Sequence, residues 1–261
     1  MASRQPHISG SSSALPVTGP ITLRGICVVL PAYNEEAVIA QTITRCVEVL
    51  SVIAPDYEIV AVDDGSHDRT GSIADALAAN NTHIRVVHNR PNRGYGGALI
   101  AGFDAATKSL LFFMDSDGQF DIQDLAVLLA EREQGHRVVL GYRERRQDAW
   151  MRKLNAWGWN LLVSLFFGLR VRDVDCAFKL VDTSLVRACD IHSEGAMVNT
   201  EMLVKLSRLG IPFVQVPVHH YPRQHGNATG ANPRVIFHAF RELVRLRLRI
   251  NQWHPILPPQ E

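Results

Sequence analysis

Short apolar runs and longer amphipathic stretches alternate along the first half of the chain. Continuous apolar runs at 26–30 and 110–114 are typical of strands buried on both faces of a parallel sheet. Further runs at 58–62, 84–87 and 137–141 predict three more strands. Because strands and helices take turns over this stretch, we expect a parallel sheet with right-handed crossovers.

The segments between these strands have apolar residues at helical spacing. The first helix should begin near Asn34, which suits a cap, and Glu35 and Glu36 are favourable at the positive end of the helix dipole. Apolar residues from Val38 to Leu50 then recur at the helical period. The same reasoning predicts the other elements: helices at 68–79, 98–107, around 125–129, 150–168, 199–209 and 233–250, and a late strand at 213–216.

Bulk composition narrows the class of protein. A chain of 261 residues with 46% hydrophobic residues can bury a full core, and its length suits one large α/β domain. A net charge of +1 provides no field for nucleic acid, so we expect no nucleic-acid partner. The four cysteines are far apart and lack a Cys-X-X-Cys pair. They indicate reduced thiols in a cytosolic compartment, without zinc or disulfides.

The two ends of the chain differ from its centre. Residues 1–24 contain a serine-rich stretch and several prolines but no apolar core of the kind a secretory signal requires, so they are interpreted as a flexible leader. The proline-rich tail at 251–261 cannot continue a helix. One domain should therefore occupy 25–250, and no stretch in it reaches the ~18 to 20 apolar residues of a spanning helix.

Candidate chemistry lies in the loops that follow the strands. Asp115 and Asp117 come directly after the 110–114 run, and together they offer hard oxygen ligands for a divalent metal carrying a diphosphate. A solvated turn before a helix is the alternative explanation. Two other polar loops, 31–36 and 63–70, also follow strands, and strand ends in such a sheet meet along one edge. The three loops can therefore form one site.

The 63–70 loop admits two interpretations. Asp63 and Asp64 can accept from a ribose hydroxyl or a base amide, and Asp64 is the stronger candidate for a ligand contact. Ser66 and Asp68 suit a simple turn with a helix cap equally well.

The glycines at 94, 96 and 97 resemble a phosphate-cradling loop, although the spacing and the lysine of a P-loop are missing. Close packing of a helix against the sheet explains these glycines about as well. The pair at 219 and 220, two histidines, is interpreted as a surface pair rather than a metal site.

Four motifs in order carry a resemblance to a known family: 31–35, 63–66, 92–98 and 115–119. With them, the chain resembles family 2 glycosyltransferases, and within that family the dolichyl-phosphate mannosyltransferases and bacterial polyprenyl-phosphate hexose synthases. The resemblance implies an α/β GT-A fold, a Rossmann-like, mostly parallel sheet with helices on both faces and amphipathic helices at the carboxyl end. It also implies a nucleotide-sugar-binding half, 25–141, and an acceptor and membrane-facing half, 142–250.

The resemblance implies roles for the donor-side residues. Pro31, Tyr33 and Glu35 would line the nucleotide pocket, and Val62 and Asp64 would close around the base and the ribose.

The diphosphate of the donor would meet Asp115, Ser116 and Asp117. In that family Asp115, Asp117 and Gln119 would bind Mg²⁺ or Mn²⁺, and the metal would neutralise the diphosphate as leaving group. Arg143 matches a family arginine near the phosphates.

The match is weaker downstream. In the segment 173–179 a cysteine and an alanine replace the small polar pair of the family, and Lys179 replaces an arginine, so the charge is kept without the planar fork. Arg223 matches a phosphate-contacting arginine, whereas Thr229 stands where the family often has a lysine.

Two acceptors are compatible with these residues. A polyprenyl monophosphate is already anionic and can attack the sugar with inversion, so positioning by Asp117 and Arg223 would supply most of the rate. A sugar hydroxyl needs a base, for which Glu201 is the candidate by resemblance; its alternative role is a helix-terminal acid. A catalytically silent nucleotide-sugar-binding protein is the rival from another class.

Two segments indicate contact with a membrane surface. The stretch 150–169 combines three tryptophans, a basic start and an apolar second half, as in an interfacial helix. The last helix adds arginines that contribute ~1 kcal/mol each near an anionic leaflet, namely Arg241, Arg245, Arg247 and Arg249. A dimer interface or plain core, and a solvated face, are the alternatives. We expect a cytoplasmic protein, peripheral at the cytoplasmic membrane face.

Overall fold

The computed structural model describes residues 25–144, 150–222 and 233–254. Its centre is a seven-stranded sheet with strand order β3-β2-β1-β4-β6-β5-β7. The strands are β1 (Ile26–Ala32), β2 (Tyr57–Asp63), β3 (Ile84–His88), β4 (Leu110–Met114), β5 (Val138–Arg143), β6 (Phe178–Asp182) and β7 (Val214–Val218). The helices are α1 (Ile39–Ile53), α2 (Thr70–Asn80), α3 (Gly94–Ala105), α4 (Leu125–Glu133), α5 (Trp150–Phe167), α6 (Thr183–Cys189), α7 (Val198–Arg208) and α8 (Pro233–Gln252).

The predicted mostly parallel sheet is confirmed. Strands β1 to β4 are mutually parallel where they pair, and β5 is parallel to β7. The exception is β6, which runs antiparallel between β4 and β5. The sequence analysis missed β6 and α6, because a five-residue strand containing Lys179 and Asp182 shows neither an apolar run nor a clean alternation.

Helices cover both faces of this sheet, as expected. Along β1, Ile26, Val28 and Leu30 face a core shared with α1, α2 and α4. The alternate residues Cys27 and Val29 face a second core, which also contains α3, α5, α6, α7 and α8. Both faces of the central strands are therefore dry, which explains the continuous apolar runs in the sequence.

Two predicted helix starts were wrong. Helix α1 begins at Ile39 rather than near Asn34, because Asn34 has a left-handed backbone (φ 54°) and its side chain accepts a hydrogen bond from the backbone N–H of His67 (2.9 Å). Helix α3 begins at Gly94 rather than Ala98, so the glycine-rich motif forms its first turn.

All four cysteines are buried and free. Within the described residues, no helix is long and apolar enough to cross a membrane.

Candidate active site

Three loops meet at the carboxyl edge of β1, β2 and β4, and the structure brings them together as the sequence predicts. The backbone N–H of Asn34 donates to the Ser66 hydroxyl (3.0 Å), and that of Glu35 donates to the Thr70 hydroxyl (2.8 Å). The Ser116 hydroxyl donates to the Pro31 carbonyl (2.7 Å). The loops after β1, β2 and β4 are thus joined by side chain to backbone hydrogen bonds.

Ser116 is a link between loops rather than an exposed ligand. The residue is 2% exposed, and its carbonyl also accepts from the Thr42 hydroxyl of α1 (3.0 Å). This buried link holds the backbone between Asp115 and Asp117, both of which stay half-buried at the edge of the sheet. The two carboxylates therefore share one rigid turn.

Burial, with the neighbouring charge of Asp117, raises the pKa of Asp115 to about 7, although a hydrogen bond from Tyr95 lowers it. Burial likewise raises the pKa of the Tyr95 hydroxyl, to which the charge of Asp115 adds. Two carboxylates that repel each other in a partly buried turn fit a hard divalent cation, because the cation would neutralise both. Tyr95 itself was missed by the sequence analysis, although an aromatic hydroxyl inside a glycine-rich motif was the signal available.

Gln119 is tied to another strand end rather than aimed at the carboxylates. Its side-chain amide donates to the carbonyl of Tyr221 (2.9 Å), and its backbone N–H donates to Asp117 Oδ1 (3.1 Å). Among the described residues, no group of three or more His, Cys, Asp or Glu side chains converges as a metal cage. Asp115 and Asp117 would thus supply part of a shell that ligand oxygens complete. Arg223, two residues after Tyr221, lies outside the described residues.

On the donor side, Tyr33 is exposed and Glu35 is half-buried. Asp64 is 3% exposed, and its Oδ1 accepts from the Asn89 side chain (2.8 Å) and from the backbone N–H of Arg93 (3.0 Å). Asp64 therefore ties the loops after β2 and β3 together at the place where a ligand contact was predicted.

Asp63 is the organising carboxylate of its loop. It accepts from the Ser66 backbone (3.0 Å), His88 Nδ1 (3.0 Å) and the Arg90 guanidinium (2.9 Å). Burial opposes ionisation, but these hydrogen bonds prevail and lower the pKa of Asp63 to about 2. Asp68 Oδ1 accepts from the Thr70 backbone (2.9 Å), which favours the turn interpretation of this segment, whereas the N-cap residue of α2 makes no side-chain cap hydrogen bond.

The predicted ligand role of Val62 does not agree with its position. Its side chain has no exposed surface and belongs to the core on the α3 face, where a Cβ on Gly102 would lie 3.2 Å from it. The side chain points into the protein because residues alternate faces along β2.

The glycine-rich motif at 94 to 97 packs against a loop, whereas packing against the sheet was one of its two predicted roles. A Cβ on Gly96 would lie 2.2 Å from the Ser193 carbonyl, and the Gly97 backbone N–H donates to the Glu194 carbonyl (3.0 Å). These glycines therefore admit the loop between α6 and α7 rather than the sheet. The residue of α3 that does approach the sheet closely is Gly102.

Arg143 is paired with a carboxylate from the segment that the resemblance singled out. Its guanidinium donates to both oxygens of Asp173 (2.7 and 2.8 Å). Burial opposes its charge, but the Asp173 hydrogen bonds raise the pKa of Arg143 above its ordinary value.

Lys179 does not reach the surface. It is fully buried on β6, and its ammonium donates to the carbonyls of Val174 (3.1 Å) and Cys176. Burial lowers its pKa. In this position Lys179 braces the 174–176 loop from beneath, so its side chain is not available for the predicted substrate contact.

Glu201 is likewise engaged inside the protein. It is 1% exposed; Oε1 accepts from Lys205 (2.6 Å), and Oε2 accepts from the Ser193 backbone (2.7 Å). Burial opposes ionisation, but the Lys205 and Ser193 hydrogen bonds lower the pKa of Glu201. This geometry favours the helix-terminal role over that of a general base, because both oxygens are already occupied.

The fold and the paired carboxylates define a class, the glycosyltransferases of GT-A fold. The sequence matches glycosyl transferase family 2 over residues 27–189. The chain therefore belongs to glycosyl transferase family 2.

Individual relatives agree with this membership. Over 212 residues the chain is 30% identical to undecaprenyl-phosphate 4-deoxy-4-formamido-L-arabinose transferase of Enterobacter sp. (strain 638), covering 81% of this chain and 64% of that protein. Glucosyl-3-phosphoglycerate synthase of Mycobacterium tuberculosis has a similar structure, with a TM-score of 0.63 and 25% identity over 87% of this chain and 79% of that one. Mannosyl-3-phosphoglycerate synthase of Rubrobacter xylanophilus shares the fold at a TM-score of 0.69 and 19% identity, over 91% and 78% of the chains.

Proposed function

We propose that this glycosyltransferase moves a hexose from a nucleotide sugar of the GDP-mannose or UDP-glucose type to a polyprenyl phosphate, with inversion and with Mg²⁺ or Mn²⁺. The observation that carries the proposal is the pair Asp115 and Asp117, held in one turn at the sheet edge where the loops after β1 and β2 also end. Relatives support it: the Enterobacter protein is named for transfer to undecaprenyl phosphate, and the M. tuberculosis synthase has been crystallised with Mn²⁺ and UDP-glucose.

Asp115 and Asp117 would hold the metal. When bound there, the metal supplies charge neutralisation for the diphosphate leaving group. Ser116 keeps both carboxylates in register through its hydrogen bond to Pro31, and Tyr95 orients Asp115. Gln119 contributes by tying this turn to the segment that leads to Arg223.

The nucleotide would lie against the loop after β1, with Tyr33 and Glu35 as its contacts. Asp64 shapes the floor between the loops after β2 and β3 through its bonds to Asn89 and Arg93. Arg223 would provide positive charge to a phosphate.

The state of Glu201 favours a phosphate acceptor over a sugar hydroxyl. A hydroxyl must lose its proton to a base, and both oxygens of Glu201 already accept hydrogen bonds inside the protein. A lipid monophosphate is anionic before it attacks and needs no base. Such an acceptor is held in a bilayer by its chain, so we place the reaction at the cytoplasmic membrane face.

Replacing one carboxylate tests the proposal. Asp117→Asn should reduce transfer from GDP-mannose or UDP-glucose to a short polyprenyl phosphate, with Mn²⁺ present, by at least ~10³-fold, because the metal loses half of its protein carboxylates. Glycolipid formation is measured by mass spectrometry. Glu133→Gln, an exposed carboxylate on α4, is the matched control and should keep full activity.

Both variants should show the thermal unfolding of the unaltered protein. Unchanged turnover in Asp117→Asn would contradict the metal site. Absence of glycolipid with every donor, by contrast, would favour a silent nucleotide-sugar-binding protein.

A further inference from the structure

Helices α5 and α8 lie side by side on one face of the sheet. The rings of Phe166 and Phe240 meet edge to face with centroids 6.4 Å apart, and the guanidinium of Arg247 lies 5.9 Å from the centre of the Phe167 ring. Helix α8 is anchored by three fully buried side chains, Leu243, Leu246 and Ile250. Helix α8 is therefore firmly packed, and its outer surface has a fixed position.

That outer surface carries a row of exposed apolar side chains. On α8 the row is Phe240, Val244 and Leu248, spaced four residues apart and 45%, 39% and 64% exposed. The neighbouring α5 exposes Leu161 (43%) and Leu165 (73%). Single exposed leucines are ordinary, but three exposed apolar side chains one helical turn apart on α8 mark an interaction surface.

Exposed arginines border the apolar row. Arg241, Arg245 and Arg249 each follow one member of the row by a single residue, or about 100° around the helix. Arg249 also donates to the Ser193 hydroxyl (3.4 Å). Arg241 and Arg245 are therefore the better candidates for contact with a partner. From the buried row outward, α8 thus passes from core leucines to exposed apolar side chains and then to arginines.

We propose that the docking face, defined as Phe240, Val244 and Leu248 with Arg241 and Arg245, binds the surface of a bilayer that contains anionic lipids. The apolar row would enter the headgroup boundary while the arginines contact lipid phosphates. This inference rests on the proposed function, since a lipid-linked acceptor brings the enzyme to a bilayer. A second copy of the chain is a poorer occupant, because a two-fold contact would bring the arginines of both copies together.

Vesicles without any polyprenyl phosphate test the docking face separately from catalysis. The full chain should co-sediment with vesicles of phosphatidylglycerol and phosphatidylcholine, weakly with phosphatidylcholine alone, and less as salt is raised. Arg241→Gln with Arg245→Gln should weaken binding roughly 25-fold, about fivefold for each arginine. Leu248→Ser should weaken it about tenfold at every salt concentration.

Matched controls come from α1, which lies on the opposite face of the sheet. Val52 is 79% exposed and Arg45 lies on the same helix, so Val52→Ser and Arg45→Gln repeat both chemical changes away from the docking face. Both controls should bind vesicles as the unaltered protein does.

Two results would overturn the docking face: no binding of the unaltered protein to anionic vesicles at low salt, or equal losses in the α1 controls. A dimer in sedimentation velocity that Leu248→Ser dissociates, without any change in vesicle binding, would assign the face to a second copy instead. Activity on a short, water-soluble polyprenyl phosphate should be unaffected by these variants. If the unaltered protein shows no such activity, the proposed function is wrong, whereas the vesicle-binding result is unaffected.

Discussion

At the scale of single residues, His88 makes stability depend on pH. Its two ring nitrogens lie 3.0 Å from Asp63 and 3.0 Å from Asp75. The Asp63 hydrogen bond raises the pKa of His88 above 6.5, although burial opposes this. A raised folded-state pKa contributes stability that is fully present below pH 6.5 and is lost as the pH rises through the folded pKa.

We therefore expect the unaltered protein to have a higher free energy of unfolding than His88→Gln, with the largest difference at pH 5.5 and the smallest at pH 8.5. The change across this window should be about 0.5–1 kcal/mol, since a side chain that is 36% exposed is screened by solvent. Urea denaturation of both proteins across the window measures it. A difference that stays constant with pH would show that His88 acts only by packing.

At the scale of elements, helix α7 fixes the loop before it through one buried ion pair. Glu201 and Lys205 are 2% and 3% exposed, and Glu201 also receives the backbone N–H of Ser193. In Glu201→Gln the new amide N–H group would face either the Ser193 N–H or the Lys205 ammonium, both of which are donors. The charge of Lys205 would also lose its partner. We expect a loss of about 3 kcal/mol in the free energy of unfolding.

The control for this variant is Glu48→Gln, which breaks an exposed pair with Arg45 and should cost less than about 0.5 kcal/mol. The double change Glu201→Gln with Lys205→Met should recover part of the loss, because no charge is left buried alone. If Glu201→Gln kept full stability and lost only turnover, the general-base role would be restored.

Elements with a strong pattern could be predicted, and elements defined by partners could not. Strand β4 matches its expected bounds, because a strand between two dry faces must be apolar throughout. Strand β6 was missed because its lysine interrupts the apolar pattern, although carbonyls of residues 174 and 176 satisfy the buried ammonium. The contact of the α3 glycines was missed because their neighbour is a loop almost a hundred residues later.

At the scale of the whole molecule, the sequence predicted which loops come together better than what each side chain contacts there. Loop positions follow from strand order, since parallel strands end at a common edge. The ion pair between Arg143 and Asp173 depends on a contact between β5 and the segment before β6. A single sequence does not show that contact. Tyr95 was missed for the same reason, because its hydroxyl meets Asp115 only in the folded protein.

The sheet joins both halves of the chain, so we propose that 25–250 unfolds as one unit. Strand β6, from the second half, is hydrogen-bonded between β4 and β5 of the first. Four buried thiols report on this. Burial raises the pKa of Cys46, Cys176 and Cys189 to about 12 and that of Cys27 above its ordinary value, so none should react with a thiol reagent while folded.

In moderate urea the reagent should therefore label all four cysteines at one common rate, set by global opening. Digestion and mass spectrometry resolve the sites, two on each half: Cys27 and Cys46, and Cys176 and Cys189. A protein fully unfolded in urea, where every thiol is exposed, calibrates the intrinsic rates. Faster labelling of Cys176 and Cys189 than of Cys27 and Cys46 would mean that the second half opens by itself, and that β6 can leave the sheet without unfolding β1.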